Sequence, residues 1–307
     1  MKFGILYTPI FLEHRPEGGY HPENPRRLKR AVEGLKKAGL WKNVIEPEAV
    51  QEKELLKVHD EEYVELVKEL GRSFNYLDPD TYVSPGTFNA ALHAFGGAVK
   101  KAVELAFEDK GLYLALVRPP GHHAGRRGGR AFNAPTLGFC IFNNAAYASK
   151  LLEGLTGKAL VIDFDAHHGN GTQEILWNDP NAVHIDLHER DIYPVSGYEY
   201  EVGGKGAEGT KVNIPMPPHY SGDDDYIYAW NEVVLRIVAQ FKPKVVVISA
   251  GFDGFHGDGL TTLRLSEVFY AYAGATLSKY PPSGCSRGWL QCWARKGSAC
   301  FYGRIPQ

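Results

Sequence analysis

Cysteine is scarce in the body of this sequence. Four of the 307 residues are cysteine, and only Cys140 precedes residue 280. A chain of this length with so few thiols is not held together by a disulfide framework, and it contains no Cys-x-x-Cys pair of the kind that binds structural zinc. The sequence therefore excludes a disulfide-rich scaffold and a cysteine-based zinc module.

An excess of charge of one sign and a long hydrophobic run are also missing. Lys and Arg number 34 against 36 Asp and Glu, a formal net charge of -2, so the chain has no overall attraction for nucleic acid or a membrane surface. The apolar start of the chain meets Pro9 and charged residues too soon to form a signal peptide or a membrane span. We expect a cytoplasmic protein with neither nucleic acid nor a membrane as partner.

What is present is an alternation of short apolar runs with longer helical patterns, which is typical of an α/β protein with buried parallel strands. No repeat or Pro/Ser-rich linker divides the chain, so we expect one domain. The predicted strands are Lys2–Tyr7, Tyr113–Val117, Ala159–Phe164, His184–Leu187 and Val245–Ser249. The predicted helices are Pro25–Leu40, Phe88–Phe107, Asn143–Leu155 and Tyr226–Phe241.

Histidine and aspartate gather where two of these strands end. Asp163, Asp165 and His167 come at every second position after the strand 159–164, and alternation along an extended chain sends their side chains to one side. Asp253 follows the strand 245–249. Loops at the carboxyl ends of strands in open α/β sheets form binding sites, so these groups can converge there.

Two carboxylates and one imidazole, from Asp165, His167 and Asp253, would bind one divalent ion and leave positions open for catalysis. Zinc suits this mixed set best, although ligand type alone also permits iron, cobalt or manganese. The alternative is that these polar residues only form hydrogen bonds within their loops.

Two adjacent imidazoles, His122 and His123, follow the strand 113–117 in a stiff Pro-Pro-Gly turn. A histidine near neutral pH can take a proton from a water molecule and return it to a leaving amine. Asp163 and Asn170 are the candidates for orienting these rings.

Five sequence blocks, taken in order, resemble the zinc-dependent histone deacetylase family, in the class II-like branch of microbial deacetylases, acetylpolyamine amidohydrolases and acetoin-utilisation proteins. The resemblance covers roughly residues 1–280. The blocks are His21-Pro-Glu-Asn-Pro-Arg-Arg27, Arg118-Pro-Pro-Gly-His-His-Ala124, Gly138-Phe-Cys-Ile-Phe-Asn-Asn144, Asp163-Phe-Asp-Ala-His-His-Gly-Asn-Gly171 and Ala250-Gly-Phe-Asp253.

The resemblance implies the arginase-deacetylase fold, a central and mostly parallel sheet flanked by helices in a single domain. It implies removal of acetyl groups from acetylated lysine, polyamines or small amines. It also implies one zinc ion per chain, held by Asp165, His167 and Asp253. A potassium ion would lie beside it, bound by backbone oxygens and by Asp163 or Asp165.

The family's catalytic and substrate-binding residues carry over in the same way. The resemblance implies that His122 and His123 act on the attacking water, with Asp163 orienting His122 and Asn170 orienting His123.

Phe139 and Tyr193 match the aromatic walls of a tunnel for the acylated side chain, and Gly138 matches its closely approaching backbone. Arg27 matches an arginine behind the site with a proposed role in acetate exit. Asp80 weakly resembles a rim aspartate that holds the substrate backbone, and a solvated turn is the alternative there.

The end of the sequence departs from the family pattern. Residues 281–307 hold no Asp or Glu, and no Glu-Gly-Gly-Tyr motif follows the strand 245–249, although its tyrosine is the family's donor to the oxyanion. Read one base forward through the genetic code, the residues from 283 are compatible with Val-Val-Val-Leu-Glu-Gly-Gly-Tyr. We expect a deacetylase domain over 1–280 and an aberrant, out-of-frame tail over 281–307, with the C-terminal strand and helices missing or altered.

A divergent tail particular to this lineage is the alternative. If the tail is real, the loss of one oxyanion donor typically lowers the rate by about 10²–10³, so we expect impaired activity.

Two other functions remain open from the residues. One is a non-catalytic protein that binds acylated amines without turnover. The other is a binuclear manganese ureohydrolase, which shares the fold but needs carboxylates where this chain has Gly169 and Phe255. One metal ion per chain favours the deacetylase, and two favour the ureohydrolase.

Overall fold

A computed structural model describes residues 2–279 and the backbone of a strand over residues 288–293. Residues 1 and 280 and the rest of the predicted tail lie outside the described residues. The boundary predicted near residue 281 therefore stays a prediction.

A parallel sheet forms the centre of the molecule. Its strands are β1 (Phe3–Leu6), β2 (Val44–Ile45), β5 (Leu112–Ala115), β6 (Ala159–Asp163), β7 (Ala182–Glu189), β8 (Lys211–Met216), β9 (Val245–Ala250) and β10 (Gly288–Trp293). Their spatial order is β2-β1-β5-β10-β9-β6-β7-β8, and every neighbouring pair is parallel. A separate antiparallel hairpin consists of β3 (Asn75–Asp78) and β4 (Thr81–Val83).

Continuous apolar sequence explains the central strands. All residues of β6 and β9 are buried, as expected for parallel strands covered by helices on both faces. The five predicted strands are confirmed, with ends within two residues of those observed. Strands β6 and β9 pair directly, with Val161 opposite Val247 and Asp163 opposite Ser249, so their carboxyl ends lie side by side.

Helices cover the sheet. They are α1 (Pro25–Lys37), α2 (Glu61–Leu70), α3 (Thr87–Leu92), α4 (Lys101–Asp109), α5 (Asn144–Thr156), α6 (Asn170–Leu176), α7 (Asp223–Ala229), α8 (Leu235–Phe241) and α9 (Glu267–Lys279). Segments of π-helix over His93–Lys100 and Trp230–Val234 join α3 to α4 and α7 to α8. The four predicted helices are confirmed, two of them as these joined pairs.

Helix α1 shows how sequence sets an element. Asn24 caps it by accepting the N–H of Arg26 at 3.0 Å, and Pro25 occupies its first turn, where a missing N–H costs nothing. Leu28, Val32 and Leu35 recur on one face and are buried. Among the described residues no helix has the length and apolar character needed to cross a bilayer.

A strand does lie between β5 and β9, where we expected the last strand to be missing or altered. It is β10, whose backbone pairs Leu290 with Tyr113 on one side and with Val247 on the other. Its sequence, Gly-Trp-Leu-Gln-Cys-Trp, is not the valine-rich run expected in frame. Strand pairing uses backbone groups, so a different sequence can occupy the same place in the sheet.

Candidate active site

Three buried side chains converge where β6 and β9 end. Ligand atoms of Asp165, His167 and Asp253 all lie within 4.8 Å of one another. His167 Nδ1 is 2.7 Å from Asp253 Oδ2 and 3.3 Å from Asp165 Oδ1. The structure thus brings together the three residues predicted as metal ligands.

Local turns hold these carboxylates in place. Asp163 Oδ1 accepts the N–H of Asp165, and Asp165 Oδ1 accepts the N–H of His167, both at 2.9 Å. Asp253 reaches across to the N–H of Ala166 at the same distance. Gly251 lets the loops after β6 and β9 approach each other, because a Cβ there would lie 2.1 Å from Asp165 Oδ2.

The group fits a divalent cation. Asp165 Oδ2 is buried and has no hydrogen-bond partner in the described part of the chain. Burial of an unpaired carboxylate oxygen is energetically costly unless a cation binds to it. Burial and the neighbouring carboxylate of Asp253 raise the pKa of Asp165 to about 6. A bound cation would remove both penalties.

The tandem histidines lie beside this group. His122 Nδ1 is 3.1 Å from Asp163 Oδ2, and His123 Nδ1 is 2.7 Å from Asn170 Oδ1, with the two ring centroids 3.9 Å apart. Asn170 Nδ2 donates to the carbonyl of Ala131, which turns its oxygen toward His123. The pairings predicted for Asp163 and Asn170 are thus present as contacts.

The second nitrogen of His122 completes this arrangement. His122 Nε2 lies 3.9 Å from Asp165 Oδ1. Burial lowers the pKa of His122, but the carboxylates of Asp165 and Asp163 outweigh burial and raise it to about 9. The ring is thus electrostatically tied to the carboxylate cluster.

The loop that carries His122 and His123 is held by residues for which the sequence predicted no role. Asn143 Nδ2 donates to the carbonyl of Ala124 at 2.9 Å, and the N–H of Thr172 donates to the carbonyl of His122 at 3.0 Å. His59 is buried against the same loop and holds the carbonyl of Gly125. Asn143 and Asn144 belong to one of the five sequence blocks, whereas no motif in the sequence points to His59.

A buried ion pair anchors the start of this loop. Arg118 Nε and Nη2 donate to the two carboxylate oxygens of Glu23, at 2.6 and 2.5 Å. Nη1 donates to the carbonyl of Phe11, and Nη2 also donates to that of His14. Burial alone would raise the pKa of Glu23, but the Arg118 guanidinium outweighs it and holds that pKa well below its ordinary value. Arg27 Nη1 contacts the same carboxylate at 3.3 Å, which places Arg27 beside this pair.

The predicted tunnel residues also lie close to the histidines. The ring of Tyr193 is 5.0 Å from that of His123 and 6.1 Å from that of His167, and its hydroxyl donates to the carbonyl of Thr136. Gly138 has φ +52, and a Cβ there would lie 2.6 Å from His123 Cδ2. Phe139 packs edge-on against His21 at 5.0 Å.

A second acidic group adjoins the first. Asp163, His184 and Asp186 are buried, with ligand atoms within 4.8 Å of one another. The carboxylate of Asp186 also contacts His188 and accepts the N–H of Gly169 at 2.8 Å. Gly169, where a ureohydrolase needs a carboxylate, instead supplies this backbone donor.

The four letters Glu-Gly-Gly-Tyr do occur elsewhere in the chain. They form Glu17–Tyr20 in the loop before α1, and the side chain of Tyr20 is 82% exposed. This tyrosine lies outside the buried group described above.

Fold and site together define a class: an α/β protein with a parallel sheet and a buried carboxylate–imidazole centre at the carboxyl ends of its strands, suited to a metal-dependent hydrolase. The family profile described as "Histone deacetylase domain" matches residues 21–291. The chain belongs to the histone deacetylase family. It has the arginase-deacetylase fold and is, by family, a hydrolytic deacetylase.

Individual relatives and solved structures are similar to this chain over most of its length. An uncharacterized protein of Methanocaldococcus jannaschii is 49% identical over 92% of this chain and 82% of its own length. A "Probable deacetylase" of Archaeoglobus fulgidus is 36% identical over 88% of this chain and 74% of its own length. The crystal structure of the HDA15 HD domain superposes with a TM-score of 0.88 at 33% identity, covering 97% of this chain and 86% of that one.

Proposed function

We propose that this chain is a zinc-dependent amidohydrolase that releases acetate from acetyl-lysine or acetylated amines. The convergence of Asp165, His167 and Asp253 on one point, beside two histidines with oriented rings, carries the proposal. Mixed carboxylate and imidazole ligands with open positions favour zinc in a catalytic role. When bound, zinc supplies polarisation of the amide carbonyl and a lower pKa for water.

The histidines handle the protons in this proposal. Asn170 Oδ1 accepts from Nδ1–H of His123, so Nε2 is the basic position of that ring, and we assign it the proton of the attacking water. His122 is hydrogen-bonded to Asp163 through Nδ1 and keeps positive charge close to the reacting atoms. The proton then passes to the leaving amine.

Phe139 and Tyr193 form the walls of the substrate tunnel in this proposal, with Gly138 between Tyr193 and His123. Arg27, next to Glu23, lies on the path for acetate. The substrate is an acetylated lysine, polyamine or other linear amine. We also propose a cytoplasmic location. A potassium ion would lie beside the zinc, bound by backbone oxygens and by Asp163 or Asp165.

The tail weakens this activity. No Glu-Gly-Gly-Tyr follows the strand 245–249, where the family's oxyanion tyrosine is expected, so turnover should fall by about 10²–10³ relative to a chain that has it. Metal binding does not need that residue and should persist.

Metal analysis and acetate release on two proteins test the proposal. The first is this chain, and the second carries the reading frame restored from codon 282. We expect one zinc per chain in both, and faster acetate release from acetyl-lysine peptide and N-acetylputrescine by the restored protein. Absence of acetate release by both would refute the enzyme, and binding of the acetylated ligands without turnover would favour a non-catalytic binder.

A further inference from the structure

The backbone of the tunnel wall is held in an unfavourable conformation. Phe139 has φ +73 and Gly138 has φ +52. The left-handed region is unfavourable for a residue with a Cβ, and an aromatic residue persists there only when its surroundings impose it. The position of the Phe139 ring therefore depends on what holds its backbone.

The β3–β4 hairpin supplies that hold. The N–H of Phe139 donates to Thr81 Oγ1 at 3.1 Å, and the Thr81 hydroxyl donates in turn to Asp80 Oδ1 at 2.8 Å. Thr81 is fully buried, so its hydroxyl is shielded from bulk water. A hydroxyl that accepts and donates at once links the tunnel wall to the hairpin through one short chain of hydrogen bonds.

Two further bonds fix the residues just before Phe139. The other oxygen of Asp80 accepts the hydroxyl of Thr136 at 2.6 Å, and Asp78 Oδ2 accepts the N–H of Leu137 at 2.6 Å. The hairpin thus forms hydrogen bonds with three residues of the segment before and at the tunnel wall, 136, 137 and 139. Asp80, the candidate rim aspartate, has both carboxylate oxygens engaged in these hydrogen bonds.

We propose that Thr81 is a positioning residue that fixes Phe139 as the tunnel wall and so sets affinity for the linear part of an acylated amine. This inference rests on the proposed function, because it treats Phe139 as part of the substrate tunnel. Thr81 acts only through Phe139 and takes no part in the chemical step.

The chain offers a matched pair of variants. Thr81→Val keeps the shape of the side chain but removes the hydroxyl, and Thr81→Ser keeps the hydroxyl. We expect Thr81→Val to speed deuterium uptake in the peptide over residues 136–141, whereas Thr81→Ser should exchange like the wild type. Equal exchange in all three proteins would overturn the proposal.

Binding to the zinc-loaded protein provides the functional arm. A lost hydrogen bond is worth roughly a 3- to 10-fold change in affinity, so Thr81→Val should weaken N-acetylputrescine by about that factor. Acetate lacks the linear amine chain that this wall would contact, so it should bind all three proteins equally. If Thr81→Ser weakens N-acetylputrescine as much as Thr81→Val does, the hydroxyl is irrelevant and the proposal is wrong.

The two arms separate the two ideas. If the wild type binds no acetylated amine, the proposed function fails, and the exchange comparison still decides whether Thr81 holds Phe139. If the wild type binds and the Thr81 variants do not differ, only this inference falls, and acetate release still decides the proposed function.

Discussion

His59 accepts a hydrogen bond from the backbone N–H of Asn143, with 2.9 Å between His59 Nε2 and the nitrogen. His59 Nδ1 lies 2.9 Å from the carbonyl of Gly125, which can only accept. The ring must therefore be neutral, with its proton on Nδ1. Because Gly125 follows the tandem histidines and Asn143 caps α5, this one tautomer ties the histidine loop to the start of α5.

Acid should destabilise the protein through His59. Burial lowers its pKa from 6.5 to about 4, so the unfolded chain takes up the proton first as pH falls. The contribution of His59 to the free energy of unfolding is therefore fully present above about pH 6.5 and is lost as pH falls toward 4. We expect His59 to account for about 2 kcal/mol of the loss between pH 7.5 and 5.

Urea unfolding at the two pH values measures this loss. His59→Gln is the control, because an amide can accept from Asn143 and donate to Gly125 without titrating. Its loss over the same interval should be smaller by about 2 kcal/mol. An identical loss in both proteins would show that His59 does not titrate as argued.

The three candidate metal ligands could be predicted from the sequence because they follow mostly apolar runs. Two such runs, Ala159–Phe164 and Val245–Ser249, were enough to place Asp165 and Asp253 at the same edge of the sheet. Strand β8 escaped prediction because Asn213 and Pro215 interrupt its apolar pattern. Its position at the sheet edge explains why proline is tolerated there.

The supporting residues could not be predicted. His59 and Gly125 are 66 residues apart, Thr81 and Phe139 are 58 apart, and Arg118 and Glu23 are 95 apart. No local pattern records such a pairing, because it depends on how loops from different strands meet above the sheet. The sequence therefore predicted the residues of the candidate centre but not the long-range contacts that support them.

Loss of the Glu23 charge should be strongly destabilising. Glu23→Gln leaves the buried Arg118 guanidinium without its counter-ion, which typically costs about 3–5 kcal/mol. Glu52→Gln is the matched control, because Glu52 pairs with Lys68 at the surface and should cost less than about 1 kcal/mol. Denaturant melts at pH 7.5 compare the two, and similar small losses would mean that the buried pair contributes little.

Zinc should stabilise the folded chain through one site. At a free zinc concentration 100 times Kd, binding adds about 2.7 kcal/mol to the free energy of unfolding. Asp253→Asn should abolish this increment and the bound zinc, while Asp186→Asn, in the adjoining group, should keep both. Thermal melts with and without zinc, together with elemental analysis, measure the two effects. Two ions per wild-type chain would instead point to a binuclear centre.

Gly138→Ala should impair catalysis more than its effect on folding suggests. The new Cβ would lie 2.6 Å from His123 Cδ2 and 2.9 Å from the Tyr193 hydroxyl, so the ring of His123 must shift. A displacement of about 1 Å can lower kcat by about 10²-fold, and the left-handed backbone adds about 1–2 kcal/mol of strain.

Gly129→Ala is the control in the same loop region. Its Cβ would meet only Leu137 Cγ, at 3.8 Å, and its φ is not in the left-handed region. Acetate release by the frame-restored protein should therefore fall in Gly138→Ala and stay within about 2-fold of the parent in Gly129→Ala, since an ordinary van der Waals contact demands no shift. Full activity in Gly138→Ala would mean that the His123 ring can move without cost. A general base needs a fixed position within hydrogen-bond reach of the water. This outcome would therefore argue against His123 as the base.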